Sequence, residues 1–260
     1  NWNPAVDTIP LLGTAGDEEK LEKLLEEAAG GKIMGKDLYL YVRQKSSVWG
    51  LEEEYLSAPA IDDLTSVWCA MEGFLAASPT AAIPLICAFD SEEVGSESLQ
   101  GAGSNLLELV MLRICRAMGW EADTLLSQSF MISADNAHAI HPNHPEYSEP
   151  NHAPLLNGGV VLKVNANQKY TTDGVSAAVF RTICQRAGVA CQTYCNRADI
   201  PGGSTLGHIS MTHVSIHSVD IGLPQLAMHS CYETTGVRDI GSMLHVMTCF
   251  YSSAFRANCD

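Results

Sequence analysis

The order of apolar and polar positions along the 260 residues lays out a regular succession of elements. DEEKLEKLLEEAA (17–29) places Leu21, Leu24 and Leu25 on one face and crowds acids into its first turn; a Gly-Gly pair follows. That pattern predicts an amphipathic helix with its stop. DLYLYV (37–42) alternates as a strand does. LTSVWCAMEGFLAA (64–77) predicts a mostly buried helix that opens straight after Asp62-Asp63. IPLICAF (83–89) is a continuous apolar run of strand length, which predicts a central strand buried on both faces. SNLLELVMLRICRAMG (104–119) and DGVSAAVFRTICQRAG (173–188) predict helices that stop at Gly119 and Gly188. QSFMISA (128–134) and VVLKVN (160–165) predict further inner strands, and HSVDIGLPQLAM (217–228) contains a short one. TGVRDIGSMLHVMTCFYSSAF (235–255) predicts a closing helix. Strands alternating with helices predict a three-layer α/β/α architecture with a mainly parallel central sheet. No repeat, low-complexity tract or long linker divides the chain, so one domain is expected.

Composition adds two constraints. Charged residues are only 17% of the chain, against roughly 25% in an average soluble domain. A sparsely charged chain of this size buries a large core or hides surface in an interface. Asp and Glu number 30 against 15 Lys and Arg, a net charge of −15, which argues against a nucleic-acid partner or an anionic membrane surface. The uncharged stretches are broken by Pro, Gly, Asn or His, so no transmembrane helix is expected. None of the nine Cys forms a C-x-x-C pair, and Cys69, Cys87, Cys184 and Cys249 lie in apolar runs as buried reduced thiols do. With no N-x-S/T sequon and no signal-peptide pattern, a reducing, cytoplasmic setting is expected.

The acids are unevenly placed. Between Lys45 and Lys163 stand 16 acids, and Arg113 and Arg116 are the only basic side chains. Asp62-Asp63, Glu92-Glu93 and Asp135 each fall after a predicted buried strand or at the mouth of a buried helix, where α/β sheets place ligands. Taken singly, each acid reads as a solvated loop residue. Three clusters at strand ends would suffer like-charge repulsion and desolvation unless a divalent cation joined them. His229, in LPQLAMHS, supplies a nitrogen of the kind zinc prefers. In DSEEVGS (90–96) the two adjacent Glu side chains diverge, so one can bind metal while the other takes a proton from a metal-bound water and returns it to a leaving amine.

Six ordered segments, PAIDDL, FDSEEVGSESLQGAGSNL, SFMISADNAHAIHPNH, VVLKVNANQKY, DIPGGSTLG and GLPQLAMHS, resemble the aspartyl aminopeptidase family, dinuclear zinc aminopeptidases of the co-catalytic zinc exopeptidase fold. The resemblance runs from about Ile9 to Phe255. It implies that Asp62 bridges two zinc ions, that Glu92 is the general base for a metal-bridging water, and that Glu93 and His229 complete one zinc site while Asp135 serves the other. It further implies peptides with an N-terminal Asp or Glu as substrates, with Lys163, His138 and Tyr170 as substrate contacts. DIPGGSTLG would form a pocket loop. By spacing alone HAIHPNH (138–144) looks like a zinc triplet, but only His138 is assigned to the site; His141 is read as a structural hydrogen-bonding residue. A homo-oligomer, in the family commonly a tetrahedral dodecamer, is likewise implied.

The resemblance also predicts what the chain lacks. The family carries a further histidine ligand in an H-T-D context and a dimerisation region, and no H-x-D motif occurs in these 260 residues. One of the two zinc sites is therefore expected to be incomplete. The chain opens on Asn1 rather than Met, and residues 1–260 are read as the C-terminal portion of a catalytic domain. Ala60, Asp63 and His208 stand where the family usually has Arg, Asn and Pro. Two other readings remain open on the residues: a non-catalytic or impaired subunit of a related assembly, and a related exopeptidase with another side-chain preference.

Overall fold

The structure, a computed structural model, describes residues 3–14, 16–79, 81–200 and 202–255. The chain divides into two compact units, 1–41 and 42–260. The first holds α1 (Pro4–Asp7) and α2 (Glu18–Ala29), the latter ending at Gly30 as its sequence predicts. Residues 37–42 have no ladder partner among the described residues, so the strand expected from DLYLYV is not seen there.

The second unit contains two mixed sheets. One has four strands in the order β3 (Phe130–Ala134), β7 (His217–Gly222), β5 (Val160–Val164), β6 (Cys191–Cys195). The other has five, in the order β1 (Ser47–Trp49), β2 (Tyr55–Ala58), β9 (Glu233–Gly236), β8 (Pro224–Leu226), β4 (Ala137–His138). The expected mainly parallel sheet is thus corrected: β3 pairs parallel with β7 and β5 with β6, but β7 meets β5 antiparallel. β5 reaches β6 through the crossover helix α6 (Gly174–Ala187), which enforces a parallel pair, whereas β7 enters from the short α7 (Leu206–Ser210) and is free to run the other way. Apolar periodicity marks strands without marking their neighbours.

The expected central strand at 83–89 is corrected as well. It has no ladder partner among the described residues, and Ile83 is 60% exposed. The remaining helices are α3 (Ile61–Ala76), α4 (Leu106–Met118), α5 (Ala122–Ser127) and α8 (Val237–Tyr251). α6 is fixed at its start by a capping box, in which the Ser176 N–H donates to Asp173 Oδ1 and the Asp173 N–H to Ser176 Oγ.

Successive β3 side chains point to opposite faces, and the two faces carry different helices. Phe130, Ile132 and Ala134 join the main core with Val160, Leu162, Val219 and Ile221 of the sheet, Phe180 and Ile183 of α6, and Met243 and Met247 of α8. Met131 faces the other way, onto Leu107 and Met111 of α4 and Leu126 of α5. Burying one such large side chain is worth about 1.5–3 kcal/mol, so these two faces set the layer order.

The two sheets share a seam. The chain leaves one sheet at Ala134 and enters the other at Ala137, and in parallel it leaves at Gly222 and re-enters at Pro224. Asp135 and Asn136 lie in that seam. Gly222 is required there, because a Cβ would stand 2.1 Å from the Asp135 carbonyl oxygen.

Candidate metal centre

Four chain segments meet at the seam. α3 begins there and presents Asp62 and Asp63; the turn after β3 presents Asp135; the loop after residues 83–89 presents Glu92 and Glu93; the turn after β8 presents His229. Asn136 ties the first two together. Its side-chain amide donates to Ile61 O, Thr65 Oγ1 and Gln225 Oε1, and its Oδ1 accepts from Ser66 Oγ and the Leu223 N–H.

Two groups of potential ligands result, Asp62–Glu93–His229 and Asp62–Asp63–Asp135, each with donor atoms within 4.8 Å of one another. Asp62 belongs to both. His229 Nε2 stands 3.4 Å from Asp62 Oδ2 and 3.3 Å from Glu93 Oε1. Donors held at zinc distances around a tetrahedral ion stand about 3.4 Å apart, the spacing of the two contacts that His229 makes. Asp62 Oδ1 and Asp63 Oδ1 are buried without a hydrogen-bond partner, a costly state that a cation would relieve. Asp63, which the sequence reading left out of the ligand set, joins the second group; among the described residues that group has no nitrogen donor.

The electrostatics follow from crowding. Burial, then the charges of Asp135, Glu93 and Glu233, push the Asp62 carboxyl up to about 8. Burial and the Asp135 and Asp62 carboxylates hold Asp63 well above the usual range. Glu92 is pushed up to about 7 by burial, Asp135 and Glu93. A carboxyl of that strength can accept and return a proton near neutral pH.

The three expected substrate contacts lie beside Asp135. Lys163, on β5, is buried, and all three of its ammonium donors are taken: by Asp135 Oδ2 at 2.9 Å, Asp135 O at 2.9 Å and Asn136 O at 2.8 Å. Burial opposes its charge, but Asp135, Tyr170 and Asp220 outweigh it and raise the lysine above its ordinary value. Lys163 Nζ lies 5.2 Å from the centre of the Tyr170 ring. Burial, then Lys163, holds the His138 imidazole below its usual range. His141 accepts from the Asn143 N–H, while His138, His141 and His144 form no three-residue ligand group among the described residues. In the loop 199–207, Pro201 lies outside the described residues; Thr205 Oγ1 donates to the buried Asp220 carboxylate.

The sequence reading missed two buried carboxylates, Asp220 and Glu233, that hydrogen-bond or charge-couple to the site residues. Asp220 Oδ1 accepts from Ser133 Oγ and Thr205 Oγ1, and its Oδ2 accepts from Thr171, gathering three segments around the seam. Glu233 accepts from the Asp62 and His229 N–H groups. Neither stands in a motif, since burial is not visible in isolated acids of a strand.

The chain is similar to known proteins along most of its length. The family described as Aminopeptidase I zinc metalloprotease (M18) matches residues 17–251. A probable M18 family aminopeptidase 2 of Clostridium novyi (strain NT) is 43% identical over 260 residues, covering 96% of this chain and 60% of that protein. The crystal structure of yeast aminopeptidase 1 superposes with a TM-score of 0.80 at 27% identity, over 94% of this chain and 59% of that one. The S. cerevisiae mApe1 dodecamer gives a TM-score of 0.78 at 27% identity, over 93% and 59%. The chain thus spans between 53% and 60% of the length of the first curated relatives it matches.

Proposed function

The chain belongs to the Aminopeptidase I zinc metalloprotease (M18) family, and on that premise we propose that it carries the catalytic centre of a zinc aminopeptidase releasing N-terminal Asp or Glu from peptides. The observation that carries this reading is the approach of Asp62 and Glu93 to His229 Nε2 at 3.4 and 3.3 Å, with Asp62 shared by a second carboxylate group and Glu92 close enough to feel the charges of Asp135, Glu93 and His229. Asp62, Glu93 and His229 would hold one zinc ion, and Asp62 and Asp135, with Asp63 beside them, a second. Bound zinc supplies Lewis acidity at the scissile carbonyl and lowers the pKa of water. Glu92 accepts a proton from the attacking water as its oxygen adds to the carbonyl carbon. It then delivers that proton to the amide nitrogen as the C–N bond breaks, yielding a free amino acid and a shortened peptide.

Lys163, with His138 and Tyr170 beside it, is the basis for the acidic preference. Its charge is buried next to the centre, and an acidic chain of net charge −15 needs such a local cation to attract an anionic side chain. Its three donors already serve Asp135 and Asn136, so recognising an acidic side chain would require one of these bonds to be exchanged. We read the natural form as a cytoplasmic homo-oligomer; no described helix is long and apolar enough to cross a membrane. The test is hydrolysis of Asp-, Glu- and Leu-anilides by the zinc-loaded protein. Faster cleavage of the Asp and Glu substrates is expected; equal cleavage of all three overturns the preference, and none by a folded, zinc-loaded chain overturns the activity.

One observation favours the reading of a subunit impaired on its own. The Asp62–Asp63–Asp135 group lacks a nitrogen donor among the described residues. Zinc stoichiometry decides: two ions per chain support catalysis by these residues alone, and fewer than one supports the non-catalytic reading.

A further inference from the structure

We infer that Glu233 is a positioning residue of the metal centre, whose single carboxylate sets the backbone of two ligands, Asp62 and His229, at once. The inference rests on the metal-binding reading above and goes beyond its ligand set. Glu233 is 2% exposed. Its Oε2 accepts from the Asp62 N–H at 2.8 Å, and its Oε1 accepts from the His229 N–H, also at 2.8 Å. No basic side chain among the described residues pairs with it, so its charge is held by these two amides.

The fold explains how one residue reaches both. Glu233 opens β9, opposite Ala58 at the end of β2, and α3 with Asp62 begins just beyond that strand. β9 also pairs with β8, and the connection between those two strands carries His229. Glu233 therefore stands where the approaches to the two ligands come together. His229 occupies the left-handed region at φ 64, which a residue with a Cβ adopts at some cost. A hydrogen bond from its N–H to a fixed acceptor holds it there.

The chemistry requires a carboxylate of this length. Two N–H groups converge on one side chain, and a carboxylate offers two acceptor oxygens. Gln would meet one N–H with its oxygen and turn its NH2 donor onto the other. Asp, one methylene shorter, loses the reach that spans both. The negative charge stands where it is unfavourable: Glu233 adds to the repulsion already acting on Asp62. The geometry it enforces is the 3.4 Å separation of His229 Nε2 and Asp62 Oδ2.

The test is zinc titration of the full chain and of Glu233→Gln in chelator-buffered zinc. Partners behind metal ligands typically govern affinity by 10–100-fold, so a weakening of about that size is expected at the Asp62–Glu93–His229 site. Thr235→Val is the control for mere loss of stability. It removes a buried hydrogen bond from Thr235 Oγ1, on the same strand as Glu233, to Pro224 O of β8, and should lower the melting temperature while leaving zinc affinity unchanged. Equal zinc affinity in parent and Glu233→Gln overturns the inference alone. A parent that takes up no zinc overturns it together with the metal reading. Should the Gln variant not fold, amide exchange in the parent decides. The Asp62 and His229 amides should be strongly protected, and exchange at the rate of open loops rejects the role.

Discussion

The Lys163 ammonium donates to Asp135 Oδ2 at 2.9 Å, with the lysine side chain 3% and the aspartate side chain 15% exposed. A pair this buried is held by mutual need. Removing one partner leaves an uncompensated charge and typically costs about 3–5 kcal/mol. Lys163→Met is expected to destabilise the chain by that amount, measured as a shift of the urea midpoint. A change below about 1 kcal/mol would show that Asp135 does not depend on the lysine.

Glu92 is the expected proton carrier, and its substitution separates binding from chemistry. Glu92→Gln keeps the shape of the side chain and removes its basicity. Turnover should fall by at least about 100-fold, with the zinc content of parent and variant equal by metal analysis. Full activity in the variant assigns the proton transfer elsewhere.

Asp239, on α8 and in neither ligand group, gives a further pH dependence. Its carboxylate accepts from the Asn157 and Gly159 N–H groups at 2.6 and 2.8 Å, yet burial, the larger effect, pushes it up to about 6 from an ordinary 3.8. Below about 4 the group is protonated in both folded and unfolded chains and has no effect. Between about 4 and 6 the unfolded chain has lost the proton that the folded chain retains, so stability falls as pH rises through this window, and then levels off. Two pKa units correspond to about 3 kcal/mol. Asp239→Asn should remove this slope. Urea midpoints of parent and variant at pH 4, 5, 6 and 7 give the difference directly, and parallel curves would contradict it.

Leu64, Trp68, Met71 and Leu75 form an exposed stripe on α3, and Ile83 and Leu85 are exposed on the unpaired segment 83–89. Apolar surface of this extent promotes association. Light scattering on the chain alone should therefore give a mass above 28.0 kDa that rises with concentration. Trp68→Lys with Leu85→Lys should bring it toward the single-chain mass. A parent that stays at single-chain mass at high concentration would refute this.

The helices and the identity of the polar cluster were legible because their signals are local. Acids in a first turn, glycine stops and 3.6-residue periodicity act within a few residues of each other, so helix boundaries such as those of α4 and α6 were readable within about two residues. The segment 83–89 shows the limit of the same signal. Its apolar run is real, but a strand exists only where another edge pairs with it, and nothing in IPLICAF names that edge.

What the sequence by itself determined was therefore the set of side chains able to bind a cation and the helices beside them. The tertiary structure decided which of those side chains meet, and it did so through contacts between residues far apart in the chain. Only the fold brings Glu233 within 2.8 Å of the Asp62 amide, 171 positions away, and buries Lys163, expected from the sequence as a substrate contact, as a clamp on Asp135. Strand direction belongs to the same class. Whether β7 meets β5 parallel or antiparallel depends on how the chain arrives at the sheet, and residue pattern records burial but not arrival.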